Sequence, residues 1–193
     1  MMRNKYSSTP NSIWVLITIN AILWVTTLFA RRFIFAILGL QPIAFPLQPW
    51  TIFTAMFVHA SLWHLMANMF TFYFFGTFIA RLVGEGRLLL VYFIGGLLGN
   101  TFYLFLGEPY SVVVGASGAI FALGGALTVM LPRLKVLVFP IPLPVPLWAA
   151  VIGGFLLVSF LPNVAWQAHL GGLIFGLIAG YYFRHKMRYF LTL

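Results

Sequence analysis

The chain has 193 residues, of which 62% are hydrophobic and only 7% charged, whereas soluble domains carry about 25% charged residues. So few charges cannot cover a water-facing surface, which excludes a soluble protein and makes the bilayer the main solvent. The net charge of +9 comes from short basic clusters between apolar runs, a pattern of membrane topology that does not predict nucleic-acid binding. Because cysteine is absent, disulfides and thiolate metal sites are excluded, and the length predicts one domain over 1–193.

Six apolar runs can cross the membrane as helices, since about 20 residues span ~30 Å of hydrocarbon. The first run follows a short polar stretch without a small-residue cleavage site, which predicts a retained helix rather than a removed signal peptide. Polar, glycine-containing or proline-containing breaks separate the other runs. The predicted spans are 12–30, 61–80, 87–106, 117–132, 145–161 and 166–183. They predict an all-α membrane protein, a compact bundle of six transmembrane helices.

The segment 31–58 is too long for a simple turn between the first two spans. It combines three prolines and Trp50 with many apolar residues. This composition predicts a membrane-associated first outer loop, with aromatic side chains at headgroup level. An ordinary amphipathic connector would have a similar composition.

Lysine and arginine counts predict the orientation of the bundle. With six spans, nine of the eleven basic residues fall on one side, and the other side holds only Arg31 and Arg32. Both termini are therefore expected to be cytoplasmic. The nine residues are Arg3, Lys5, Arg81, Arg87, Arg133, Lys135, Arg184, Lys186 and Arg188.

Polar residues inside the spans are functional candidates, because polar groups in a bilayer are costly. Four of them lie 13 to 17 residues before the arginine that ends spans two, four and six. At ~1.5 Å per residue they share one layer, roughly 20–25 Å from the cytoplasmic boundary and just beneath the outer surface. The four are His64, Asn68, Ser117 and His169.

Ser117 lies in the small-residue sequence Gly115-Ala116-Ser117-Gly118 and opens the fourth span. Free N–H groups at such a helix N-terminus suit an oxyanion. His169 forms one stripe with Gly172 and Gly176 on the sixth span, and this spacing allows close helix approach. Packing the fourth helix against that stripe would bring His169 to Ser117.

A serine hydroxyl needs a neighbouring base, and histidine is the usual base near neutral pH. The chain has two carboxylates, Glu85 in a cytoplasmic loop and Glu108 in an outer turn. Glu85 is on the wrong side, and Glu108 is not on a span, although its position does not exclude it geometrically. We therefore predict a Ser–His dyad without a carboxylate, with His64 and Asn68 as oxyanion donors.

Together these motifs resemble the rhomboid intramembrane serine proteases, in order, spacing and helix assignment, over residues 12–183. The bacterial six-helix form is the most similar. The matching motifs are His59-x4-His64-x3-Asn68, Gly115-x-Ser117-Gly118 and Ala168-His169-x2-Gly172-x3-Gly176.

The resemblance implies that Ser117 is the nucleophile, that His169 is the general base and that His59 has a supporting role. His64 and Asn68 would complete the oxyanion hole with the Ser117 N–H. The fifth helix would gate lateral access for transmembrane segments of membrane-protein substrates, cut near their outer ends at small residues. The implied location is the bacterial inner membrane with the site toward the periplasm, and no cofactor or metal is implied.

Two positions depart from the family pattern. Thr51 follows Trp50 where an arginine is frequent, and Phe121 stands where many members have a tyrosine packed on the histidine. The Phe121 ring can still stack on His169, but without a hydroxyl contact.

Other functions and simpler roles stay open for these residues. A small channel or transporter could line a polar path with His, Asn and Ser, but it would need polar groups through the whole membrane or a broken helix. An inactive relative that binds membrane helices would lack the serine or the histidine. Asn68 and the glycine motifs also occur where helices merely pack.

Overall fold

The computed structural model describes residues 9–138, 143–162 and 164–191, with side chains as far as Lys186. Arg3, Lys5 and the side chain of Arg188, which entered the orientation prediction, lie outside this part. So does Asn163, between the fifth and sixth predicted spans. The described helices are α1 (Asn11–Leu38), α2 (Thr51–Thr54), α3 (Leu62–Val83), α4 (Glu85–Leu106), α5 (Ser117–Met130), α6 (Leu147–Ser159) and α7 (Trp166–Leu191).

The predicted fold class, an all-α membrane bundle, is confirmed. Helices α1, α3 and α4 are long and apolar enough to cross a membrane, and α5 and α6 are shorter apolar helices. The remaining regular structure is two 3-10 turns, Pro42–Ala44 and Ala55–Phe57, and one antiparallel strand pair. Its strands are β1 (Lys135–Val136) and β2 (Val145–Pro146), with Lys135 opposite Pro146.

The first predicted span ends too early. Helix α1 continues through Arg31 and Arg32 to Leu38, with a kink where Ala30 has φ −136° and ψ 40°. No glycine or proline interrupts residues 31–38, and the Arg31 guanidinium lies 5.2 Å from the centre of the Phe35 ring one turn later. This contact and the absence of a helix-breaking residue explain why the start of the predicted outer loop is helical.

Three other boundaries also differ. The predicted 81–87 loop is a single residue, Gly84, whose φ of +92° lets α3 turn directly into α4. The fifth span begins at Leu147 rather than 145, because Val145 and Pro146 pair with β1. The sixth continues beyond 183 to Leu191.

Helix α5 is the central element, with ten of its fourteen residues buried, and its tightest neighbour is α7. A Cβ on Gly172 would overlap the Gly118 carbonyl, and one on Gly176 would overlap that of Ala122. One turn further along the same stripe, a Cβ on Gly180 would lie 2.5 Å from the Ala126 carbonyl oxygen. Small residues every four positions on both helices therefore let the two backbones touch.

Charged side chains tie together one end of the bundle, which we call the basic end. Glu85 Oε1 accepts a 3.1 Å hydrogen bond from the Ser12 N–H at the start of α1. Arg184 of α7 donates to the Val129 carbonyl at the end of α5, 3.2 Å away, and Arg87 lies over the Phe183 ring. Ser117 and Trp166, the first residues of α5 and α7, therefore lie toward the opposite end.

The segment between α1 and α3 is held against that opposite end. Leu40 and Val113 exchange backbone hydrogen bonds of 3.0 and 2.8 Å. The Trp50 indole donates to the Ile37 carbonyl at 2.8 Å, and the Asn100 amide of α4 donates to the Ile52 carbonyl at 2.7 Å. The segment is thereby fixed to both α1 and α4.

Candidate active site

The structure brings Ser117 and His169 into direct contact. Ser117 Oγ lies 2.7 Å from His169 Nε2, although 52 residues separate them in sequence. The contact depends on the α5–α7 interface, because His169 is one turn before Gly172 and Ser117 directly precedes Gly118. For Nε2 to accept the serine proton, the neutral imidazole must carry its own proton on Nδ1.

Free backbone donors surround Ser117. The capping residue of α5, Ala116, has no side chain that could accept a hydrogen bond, and the first bond of the helix runs from the Ile120 N–H to the Ala116 carbonyl. The N–H groups of Ser117, Gly118 and Ala119 therefore have no helical acceptor. Such a helix start can stabilise negative charge next to the serine oxygen.

His64 and Asn68 lie in the first two turns of α3 and line the same cavity as Ser117. The Ser61 hydroxyl caps this helix by accepting from the His64 N–H at 3.1 Å, and the Asn68 amide donates to the His64 carbonyl at 2.7 Å. The Ala60 N–H approaches His64 Nδ1 at 3.4 Å, which favours a proton on Nε2. His64 can therefore offer an N–H donor from the side of its ring that faces Gly115.

Gly115 brings the loop before Ser117 against the His64 ring. Its φ is +126°, and a Cβ there would lie 2.6 Å from Cε1 and 2.8 Å from Nε2 of His64. The positive φ and the closeness of the His64 ring both require glycine at this position. His64 also contacts the fully buried ring of His59, and the two ring centres lie 5.0 Å apart in an edge-on arrangement.

Packing rather than a carboxylate holds the imidazole of His169. The Phe121 ring lies 4.7 Å from the His169 ring at an interplanar angle of 36°. Buried Nδ1 of His169 has no hydrogen-bond partner in the part of the chain that the structure describes. Glu108 lines the same cavity but makes no hydrogen bond to this nitrogen.

A cavity of about 1540 Å³ contains the site. His64, Asn68, Ser117 and His169 all line it near the end of the bundle opposite the basic end. It continues between α3 and α6 along exposed side chains, so it also opens sideways. The lining residues along this opening are Phe70, Phe74 and Phe78 of α3 and Ala150, Gly154 and Val158 of α6.

Metal ligation finds no support among the side chains described. Over residues 9–138, 143–162 and 164–186, no three His, Cys, Asp or Glu side chains are grouped to hold a metal ion. His59 and His64 lie with their ring centres 5.0 Å apart, and Nε2 of His169 is in contact with Ser117.

Comparison with known proteins gives the family. The family described as the Rhomboid domain matches residues 46–186, a range that contains His64, Asn68, Ser117 and His169. The chain belongs to the rhomboid family. It is accordingly an integral membrane protein, and the predicted resemblance to the rhomboid family is confirmed.

Rhomboid relatives come from fungi, plants and bacteria. The mitochondrial rhomboid protein 1 of Saccharomyces cerevisiae is 30% identical over 68% of this chain and 41% of its own length. RHOMBOID-like protein 1 of Arabidopsis thaliana is 33% identical over 74% of this chain and 36% of its own. Rhomboid protease GluP of Bacillus subtilis is 35% identical over 67% of this chain and 25% of its own length. The chain thus spans less than half the length of these relatives.

The two rhomboid departures noted in the sequence have structural explanations. Thr51 is buried and donates from Oγ1 to the Gln48 carbonyl at 2.6 Å. Its side chain therefore stabilises a turn within the segment between α1 and α3. Phe121 keeps the ring contact with His169.

Sequence reasoning missed Asn100. This buried α4 amide anchors the first loop through Ile52. An asparagine six residues before the end of an apolar span was the available signal.

Proposed function

We propose that this rhomboid is a serine endopeptidase that cleaves transmembrane segments of membrane proteins by a Ser117–His169 dyad. The observation that carries the proposal is the 2.7 Å contact between Ser117 Oγ and His169 Nε2 at the start of α5, inside a cavity that opens sideways. A hydroxyl placed this way is activated when the imidazole removes its proton during attack.

In the first step Ser117 Oγ attacks the scissile carbonyl carbon while His169 Nε2 takes the hydroxyl proton. The same imidazole returns that proton to the leaving amine, which leaves an acyl ester on Ser117. A water molecule then attacks the ester and gives a proton to Nε2. His169 returns that proton to Ser117 Oγ as the acid product departs. The site near one end of the cavity supports water access from the aqueous side.

Negative charge develops on the carbonyl oxygen in both steps, and three groups are suited to bind it. The free Ser117 N–H points from the start of α5, the His64 Nε2 side faces the loop at Gly115, and the Asn68 amide lies one turn along α3. Fixed donors of this kind stabilise the transition state without reorganising. His59 would support His64 through the edge-on contact between their rings.

The substrate would reach the dyad from the lipid side, between α3 and α6. The exposed phenylalanines of α3 and the small α6 residues Ala150 and Gly154 line that route. The segment would have to unwind before cleavage, since a helical peptide bond is enclosed by its own turns, so small and helix-weakening residues at the cut favour the reaction.

We further propose that both termini are cytoplasmic and that cleavage occurs near the outer face of a bacterial inner membrane. The clustering of Arg87 and Arg184 at the basic end, opposite Ser117, supports this orientation. The yeast relative is named as mitochondrial, which makes the mitochondrial inner membrane the competing location. Reporter fusions at the two termini, with bacterial expression, test the orientation.

Cleavage of a reporter transmembrane substrate in proteoliposomes tests the activity. Ser117→Ala and His169→Ala are each expected to abolish cleavage, and a fluorophosphonate probe is expected to label the unchanged protein but not Ser117→Ala. Glu85→Gln, at the basic end, is the matched control and should label and cleave normally. A folded unchanged protein that neither labels nor cleaves would refute the proposal.

A further inference from the structure

A single carboxylate lies at the rim of the cavity that holds Ser117 and His169. Glu108 lines this cavity at the outer loop after α4, and its side chain is exposed to solvent. The chain has only one other acid, Glu85, which is engaged with Ser12 at the basic end. The rest of the cavity lining contains no Asp, Glu, Lys or Arg.

The loop that carries Glu108 is held in place by its neighbours. The Ser111 N–H donates to the Glu108 carbonyl at 3.1 Å, which closes a turn, and the Tyr103 hydroxyl donates to the Ser111 carbonyl at 3.2 Å. From the other side, the Gln41 amide donates to the Tyr110 carbonyl at 2.8 Å. Glu108 therefore presents its charge from a fixed backbone position.

The outer basic residues do not neutralise this carboxylate. Arg31 stacks on the Phe35 ring, and Arg31 and Arg32 are both absent from the cavity lining. In the part of the chain that the structure describes, Glu108 makes no side-chain hydrogen bond to a basic group. Its negative charge therefore faces whatever chain occupies the rim.

We propose that Glu108 is a specificity-determining residue that favours substrates carrying a lysine or arginine just outside the membrane, on the active-site side of the cut. This rests on the proposed protease function. The substrate class is a transmembrane segment with a basic outer flank, whose side chain pairs with the Glu108 carboxylate while the scissile bond lies at Ser117.

Such a preference would favour a small class of membrane proteins. Lysine and arginine are concentrated on the cytoplasmic flanks of transmembrane helices, so a basic outer flank marks a minority of them. Because Glu108 is exposed, the pairing has the strength of a surface ion pair and is screened by salt. The expected effect is a preference of up to about fivefold at low ionic strength.

Three reporter substrates that differ at one residue test the proposal. The residue just outside the membrane on the active-site side is Lys, Gln or Glu, and the ratio of kcat/KM for the Lys and Glu versions is measured for each enzyme variant. The unchanged protein is expected to favour Lys up to about fivefold in low salt, and to lose this ratio in 1 M salt, where the Debye length is about 3 Å. Glu108→Gln should bring the ratio close to one and Glu108→Lys should invert it, whereas the control Glu85→Gln should keep it.

A binding measurement separates this proposal from the proposed activity. Uncleaved Lys and Glu substrates are crosslinked to Ser117→Ala protein in liposomes, and the same Lys preference and the same response to Glu108→Gln are expected. A ratio that is one in the unchanged protein, or that survives Glu108→Gln, overturns the specificity proposal while the protease proposal stands. Absence of cleavage with a retained Lys preference in crosslinking overturns the protease proposal alone.

Discussion

Gly172→Ala is the substitution that tests most directly how the fold makes the site. The new Cβ would overlap the Gly118 carbonyl oxygen and lie 2.8 Å from its carbonyl carbon. Carbon atoms pack at about 3.5–4.0 Å, so α5 and α7 must separate by roughly 1 Å. The obstacle is backbone of a buried helix and cannot rotate away.

That separation acts on the site one turn away. A comparable shift of His169 would lengthen its 2.7 Å contact with Ser117 beyond the 3.0 Å expected of such a bond. A misplacement of about 1 Å can reduce the rate about 100-fold, whereas overpacking costs about 1–3 kcal/mol of stability. We therefore expect kcat to fall about 100-fold in a protein that still folds.

The assay combines reporter cleavage in proteoliposomes with thermal unfolding and fluorophosphonate labelling of the same preparation. Gly153→Ala is the matched control, because a Cβ on that α6 glycine meets no atom within 4 Å. It should leave rate and melting temperature nearly unchanged. Full activity in Gly172→Ala, with unchanged labelling, would refute the reasoning that close α5–α7 contact sets the dyad distance.

Two further substitutions separate the roles around the dyad. His64→Ala removes one oxyanion donor and should lower kcat about 10²–10³-fold with little change in KM, measured by steady-state cleavage; a change confined to KM would contradict that role. Phe121→Ala removes the ring that contacts His169 and should reduce kcat by up to about tenfold, because that factor corresponds to the free energy of one aromatic contact. Phe121→Tyr keeps the ring and should retain activity in the same assay. Equal rates for Phe121→Ala and the unchanged protein would show that the ring does not position the imidazole.

The polar layer was predictable because polar residues are rare in these spans. Counting along helices from the arginines placed Ser117 and His169 at similar depth, and the structure brings them within 2.7 Å. The glycine spacing on the sixth span indicated which side of that helix faces its neighbour, since a stripe of small residues allows close helix approach. Depth and facing side together were enough to pair residues far apart in sequence.

The boundaries were less predictable because hydropathy does not register backbone geometry. Gly84 alone turns α3 into α4 through its positive φ, where charged neighbours had indicated a longer loop. Helix α1 passes Ala30 with a kink and continues, although Arg31 and Arg32 had marked the end of the apolar run. Asn100 was overlooked for a related reason, because its partner is a loop carbonyl that no helical pattern reveals.

The scarcity of carboxylates changes what must orient the base in the proposed mechanism. An imidazole without an acceptor at Nδ1 can rotate unless its ring is confined, and here Phe121 confines one face while the α5–α7 contact fixes the backbone beneath it. Orientation then depends on distances between helices rather than on one hydrogen bond. A glycine substitution in the stripe should therefore damage activity more than stability, whereas in a site with a carboxylate the hydrogen bond would absorb part of the displacement.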